Sequence, residues 1–139
     1  MLLTKKSEYA LLALVSIAND NDPKNVDTLS KEFNISRSFL AKILQSLSKD
    51  NILKSYKGTN GGFMLEIELD SITIARIINC VEDKSPKVFE CSQDAKDCPN
   101  HRSMSCTIWP ILNALQFKID GFLDKLTLKD LINDSTFSV

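Results

Sequence analysis

At 139 residues the chain is one domain's worth, long enough for a real core and for an appended helix. Its 43% hydrophobic and 25% charged residues and net charge of −1 are an ordinary soluble-protein balance. No stretch reaches the roughly 18 uninterrupted apolar residues of a membrane span. The opening, Met1 to Ile17, is studded with Lys5, Lys6 and Glu8 and does not read as a secretory signal. The expected compartment is therefore the cytoplasm, where four cysteines are better read as ligands or sensors than as disulfides.

Lys5 to Asn19 is helical by content. Leu11, Leu14, Val15 and Ala18 form one stripe, and Ala10, Ala13 and Ile17 widen it until little polar face remains. Such a helix should be buried, here between the unit that follows it and a second subunit. Glu8 falls in its first turn, where an acid complements the helix dipole. Asn19-Asp20-Asn21-Asp22-Pro23 ends the helix.

Val26, Leu29 and Phe33 then mark a short helix that Asn25 can cap. Asn34 suits a left-handed turn, Ile35 tucks inward, and Ser36 is a good N-cap for a helix over Arg37 to Asp50. That helix buries Phe39, Leu40, Ile43, Leu44 and Leu47, and shows Arg37, Ser38, Lys42, Gln45, Ser46 and Lys49 on its other face. The strips Ile52 to Tyr56 and Phe63 to Leu65, joined by Lys57-Gly58-Thr59-Asn60-Gly61-Gly62, predict a hairpin.

Helix, turn, helix and hairpin make a winged helix, which lays its second helix in the DNA major groove. The plainer reading is an αα-hairpin on a β-turn with solvated charges. Charge favours DNA: Lys31 to Gly62 holds six basic residues (Lys31, Arg37, Lys42, Lys49, Lys54, Lys57) and two acidic ones (Glu32, Asp50), a net of +4 in an acidic chain. Arg37, Ser38, Lys42 and Gln45 are the candidates for the major groove. Lys57, Asn60 and Gly61 are those for the backbone or minor groove.

After the wing, Asp70-Ser71 can cap a helix carrying Ile72 to Val81, with Cys80 inside it as a small buried hydrophobe. Periodicity stops from Asp83 to Ser105, a loop too long to lack a purpose. A long helix, Ile108 to Leu126, follows with a seam of Ile108, Ile111, Leu112, Leu115, Ile119, Phe122, Leu123 and Leu126. At roughly 28 Å and with so wide an apolar face, it is expected to pair with a copy of itself. Thr127 and Asp130 can cap a last short helix through Ile132, and Asn133 to Val139 should fray. The chain is thus expected to be mainly α with a small β-wing. It divides into a winged helix-turn-helix DNA-binding domain (1–82), a cysteine-bearing sensor loop (83–107), and a dimerisation helix with its tail (108–139).

Cys91, Cys98, Cys106 and the one histidine, His101, fall within sixteen residues. The spacing is neither that of a zinc ribbon nor that of a ferredoxin, although Cys98-Pro99 resembles iron–sulfur sites. Three chemistries stay open on spacing: an iron–sulfur cluster held by three thiolates, a zinc site of three sulfurs and one nitrogen, or a thiol switch without metal. An enzyme using Cys98 near His101 lacks any accompanying acid, base or oxyanion feature.

Taken in order, several motifs resemble the IscR/NsrR-type (Rrf-two) family of winged-helix regulators. These are Leu3-Thr4-Lys5 with Tyr9-Ala10, Ile35-Ser36-x-Ser38-Phe39-Leu40, Leu47-x-x-Asp50-x-Ile52-Leu53 and Lys57-Gly58-x-x-Gly61-Gly62-Phe63-x-Leu65, with a three-cysteine loop before a long helix. The resemblance spans nearly the whole chain. It implies a cytosolic homodimer joined through the long helices, and the two-fold symmetry of such a dimer predicts a pseudo-palindromic operator in double-stranded DNA. It also implies a 2Fe–2S or 4Fe–4S cluster on Cys91, Cys98 and Cys106, whose loss, oxidation or nitrosylation alters DNA binding. Target genes would concern iron–sulfur assembly, iron supply or nitrosative stress.

The family's assembly regulators place a histidine three residues after the third cysteine, where this chain has Trp109. Nitric-oxide-sensing members complete the cluster with an acid from the partner's first helix, and Glu8 stands at the matching place, with His101 the alternative ligand. In the wing, Lys57 and Thr59 replace the family's Arg and Pro. The expected function is a transcriptional regulator, a repressor, governed by an iron–sulfur cluster. The alternative is a winged-helix regulator without one, controlled by thiol redox, zinc or a protein partner.

Overall fold

In the computed structural model, which describes residues 3–102 and 104–133, helix α1 (Lys5–Ala18) begins where extended Thr4 accepts the Ser7 N–H on its hydroxyl. The face it buries is centred on Ala10, Ala13, Leu14 and Ile17. That corrects the stripe expected from the sequence: Leu11, Val15 and Ala18 are only half-buried, and Leu12 is exposed.

Asn25 caps α2 (Val26–Phe33) by accepting the Thr28 N–H at 2.8 Å. Asn34 closes α2 in the left-handed region, φ 54°, as its short polar side chain allows. Ile35 is locked to Ser30 twice: its N–H donates to the Ser30 carbonyl and its own carbonyl accepts the Ser30 hydroxyl. Ser36 then starts α3 (Arg37–Lys49), with Asp50 as its C-cap. Leu40, Ile43, Leu44 and Leu47 are buried, whereas Phe39 is half-buried and meets the Tyr9 ring edge-on at 6.0 Å.

Strands β1 (Leu53–Tyr56) and β2 (Gly62–Leu65) pair antiparallel in the register Leu53–Leu65 to Tyr56–Gly62. The hairpin is also tied down from outside. Lys24 exchanges two backbone hydrogen bonds with Phe63, 3.1 and 2.8 Å, an isolated bridge that fastens the α1–α2 connection to β2.

Helix α4 (Ile74–Val81) is capped by Thr73, not by Asp70 or Ser71 as expected. Ile72 is buried but extended, because its carbonyl accepts from Leu128 while Ile74 donates to Leu126. This pairing across Thr73 and Thr127 delays the start of the helix from Ile72 to Ile74. The loop that follows contains one 3₁₀ turn, Ala95–Asp97. It leads into α5 (Trp109–Lys125), with Pro110 in the first turn. A capping box of Thr127 and Asp130 opens α6 (Leu128–Ile132). Leu128 is fully buried in the core formed by Leu14, Leu29, Leu40, Leu44, Ile72 and Ile77. The expectation for the tail falls mostly on residues 134–139, outside those described.

Candidate DNA-binding face and cysteine loop

Helix α3 turns its apolar stripe into the core, so Ser38, Lys42 and Gln45, at i, i+4 and i+7, stand on one exposed face with Arg37 at its opening. The Arg37 Nε donates to Asp27 Oδ1 at 2.6 Å, and Ser38 Oγ lies 2.9 Å from Ser36 Oγ. Beyond the strands, Lys57, Thr59 and Asn60 are exposed. Gly58, φ 106°, starts a tight turn closed by the Gly61 N–H on its carbonyl at 3.0 Å.

Gly61, half-buried, is too close to the Tyr56 carbonyl for any Cβ. A Cβ on Gly62 would run into the Lys24 backbone. Lys24 itself reaches Ser16 Oγ at 2.7 Å and Glu32 at 3.4 Å, so α1, α2 and the wing share one polar joint. Sequence reasoning missed Lys24. The signal was the second glycine of the Gly61-Gly62 pair, one more than the turn needs.

The cysteine loop is anchored by a polar stripe on α5. Trp109, Asn113, Gln116 and Asp120 recur at helical spacing among the apolar residues. Trp109 Nε1 donates to the Cys91 carbonyl at 2.8 Å, and Asn113 Nδ2 to the Ser92 carbonyl at 2.9 Å. Gln116 is buried with every polar position used. Its Oε1 accepts from Val88 N–H and Ser92 Oγ, and its Nε2 donates to the Pro86 carbonyl and to Asp120. The apolar seam drew the reading away from this stripe, which is legible only once the loop's backbone is seen beside it.

Cys91, Cys98 and Cys106 are free and half-exposed. The Arg102 N–H points at Cys98 Sγ, 3.4 Å away, within a turn in which His101 takes φ 52°. Among the described residues, no three of His, Cys, Asp and Glu are gathered as a metal ion requires. The donor chemistry nonetheless fits an iron–sulfur group: three accessible thiols on one loop and a backbone N–H already aimed at one sulfur, the kind of contact that stabilises a bound thiolate. Glu8 is exposed in the first turn of α1 and pairs with Lys5 at 2.7 Å, a contact that raises the Lys5 pKa by hydrogen bond and by charge. Thr4 and Ser7, from that same turn, both donate to the Glu82 carboxylate where α4 gives way to the loop.

Cys80 is half-buried rather than fully buried, because it lies at the α3–α4 margin, where its thiol donates to the Ser46 carbonyl at 3.2 Å. Burial, and then the Asp50 charge, push its pKa up. Ile108, the N-cap of α5, with Ile111 and Leu115 forms an exposed apolar face, and Phe117 is exposed on another side of the helix, while Leu123 and the C-cap Leu126 pack against the core.

A helix-turn-helix with a basic recognition helix and an antiparallel wing defines a winged-helix protein of the DNA-binding kind. The family described as "Rrf2: Iron-dependent Transcriptional regulator" matches residues 3–134. An HTH-type regulator of Aquifex aeolicus is 35% identical over 134 residues, covering 96% of this chain and 92% of its own. The regulator IscR of Serratia proteamaculans is 30% identical, over 96% of this chain and 80% of its own. Two solved structures share the fold. CymR, the global cysteine regulator of B. subtilis, has TM-score 0.70 and 24% identity over 97% of this chain and 98% of its own. T. potens IscR has TM-score 0.69 and 19% identity over 100% and 93%. The chain belongs to the Rrf2 family: it is a DNA-binding transcriptional regulator and not an enzyme. Among the described residues, no helix is long and apolar enough to cross a membrane.

Proposed function

We propose that the protein is a cytoplasmic repressor whose operator affinity is set by an iron–sulfur cluster on Cys91, Cys98 and Cys106. One observation carries the reading: three free thiols share a loop whose backbone is fastened to α5 by Trp109, Asn113 and Gln116, and whose start, Glu82, holds the first turn of α1. The loop is thus attached to both elements that can alter the DNA-binding face. When bound, the cluster would supply a redox- and nitric-oxide-reactive centre. Glu8 of the partner subunit, with His101 as the alternative, would complete its ligation.

Two copies would join through the exposed face of α5. Each would set Arg37, Ser38, Lys42 and Gln45 into the major groove of a pseudo-palindromic operator, with Lys57, Asn60 and Gly61 at the backbone or minor groove. The division into 1–82, 83–107 and 108–139 follows these three roles, although Leu128 shares the core of the first segment. Lysines that hold phosphate set affinity, while Gln45 and Ser38 have the donors and acceptors to read base edges.

The test is an iron and sulfide assay on anaerobically isolated protein, with operator affinity measured at fixed salt before and after cluster removal. Iron with sulfide and an affinity change of about 5- to 150-fold support the proposal. Equal affinities remove the switch. Iron-free, colourless protein whose affinity responds to oxidant would instead support a thiol switch. Ile111→Asp with Leu115→Asp should yield monomers by sedimentation if α5 is the dimer seam.

A further inference from the structure

We propose that Asp27 is a specificity-positioning residue: it holds the Arg37 guanidinium by its Nε edge so that the remaining donors read a guanine in the operator. The inference rests on the winged-helix reading of DNA binding given above.

The placement is unusual for an acid. Asp27 lies in the first turn of α2 and touches the first residue of the recognition helix, at the opening of the face that must meet phosphates. There it cancels a positive charge that would otherwise strengthen binding to any duplex. Stability does not explain it, since the two side chains are 59% and 69% exposed and an ion pair in that setting contributes little.

The geometry offers the reason. Guanidinium has five donors in a rigid fork, and the 2.6 Å bond to Asp27 uses the Nε–H. Among the described residues no other partner takes the Nη groups of Arg37. They remain as an end-on pair, matched in spacing to the O6 and N7 acceptors of guanine. Residues at the start of a recognition helix are the ones that reach base edges.

Arg76 shows the contrast. It approaches Asp50 through Nε at 3.5 Å and also donates Nη2 to the Asp50 carbonyl at 3.0 Å, a clamp between α3 and α4 that uses two donors, one of them an Nη group. Arg37 is held by Nε alone. Its tether fixes orientation without consuming the fork, so the entropy of ordering a long side chain is largely spent before DNA arrives.

The test is selection of bound duplexes from a random-core pool by the full-length protein, purified anaerobically, followed by affinities at several salt concentrations. The wild type should select G·C at one position of each half-site. Arg37→Lys keeps the charge but lacks the fork, and should lose that preference by roughly 5- to 150-fold with the salt slope nearly unchanged. Asp27→Asn should lower the same preference while random-duplex affinity rises or holds, since a negative charge has left the face.

These opposite signs separate positioning from a merely structural role, in which Asp27→Asn would weaken both together. That joint loss, or an unaltered base preference in Asp27→Asn or Arg37→Lys, overturns the proposal and leaves the DNA-binding reading standing. A wild-type protein that retains no duplex overturns both.

Discussion

Gln116→Leu removes the amide at the centre of the loop anchor and keeps nearly the same volume. In the wild type this side chain makes four hydrogen bonds while only 2% exposed. Asp120 is half-exposed and can turn to water, and Ser92 Oγ can donate to the Phe89 carbonyl 2.8 Å away. The Val88 N–H and the Pro86 carbonyl lose the partner they had, each at a cost of about 1–3 kcal/mol if buried and unmet.

If the loop stayed in place the total would be about 2–6 kcal/mol, comparable with or larger than the effort of peeling a short surface segment into water. The segment 86–92 should therefore detach locally while the core of α1 to α4 holds. Hydrogen exchange should show the Val88 amide at least about 30-fold faster, which corresponds to roughly 2 kcal/mol. Urea unfolding should move much less than that. A large loss of global stability with unchanged exchange at 86–92, or no change in either, would refute the argument.

Gly62→Ala should break the joint between wing and α1–α2 connection. A Cβ there meets Lys24 backbone, so both Lys24–Phe63 hydrogen bonds must open, costing about 1–3 kcal/mol by urea denaturation and weakening operator binding. Cys80 should be alkylated severalfold more slowly in the folded protein at pH 8 than in urea, by mass spectrometry, because burial and the Asp50 charge keep its thiol protonated. Equal rates would contradict this. Asp130 is held below its ordinary 3.8 by hydrogen bonds from the Thr127 backbone and hydroxyl. Its folded pKa lies below the unfolded one, so its contribution is present above about pH 3.8 and is lost as pH falls through the lower folded value. Asp130→Asn should then be less stable than wild type at pH 7, with the gap closing in acid.

The helix-turn-helix was legible because its determinants are local. Asn25, Asn34 and Ser36 act on neighbours within a few residues, and the stripes of α2 and α3 face inward as their spacing predicts. The misplacements share a different cause. The cap of α4 shifted to Thr73 because residues more than fifty positions away, Leu126 and Leu128, occupy the backbone of Ile72 and Ile74. The buried face of α1 is centred on Ala10, Ala13, Leu14 and Ile17 because tertiary packing, which a helix apolar nearly all round does not encode, decides which side lies beneath. At the cysteines the sequence shows the donors without their closure, since their separation in space depends on a loop lacking periodicity.

That loop is also where the energetics matter most. A regulatory coupling needs only about 1–3 kcal/mol, and the polar stripe of Trp109, Asn113 and Gln116 commands an amount of that order at one end of the loop. At the other end, Glu82 accepts hydroxyls from Thr4 and Ser7, and α1 carries Tyr9 against Phe39 of the recognition helix. Under the proposed function, a group bound by the cysteines would not have to drive a large rearrangement. It would need only to favour one position of a segment whose two ends rest on α5 and α1.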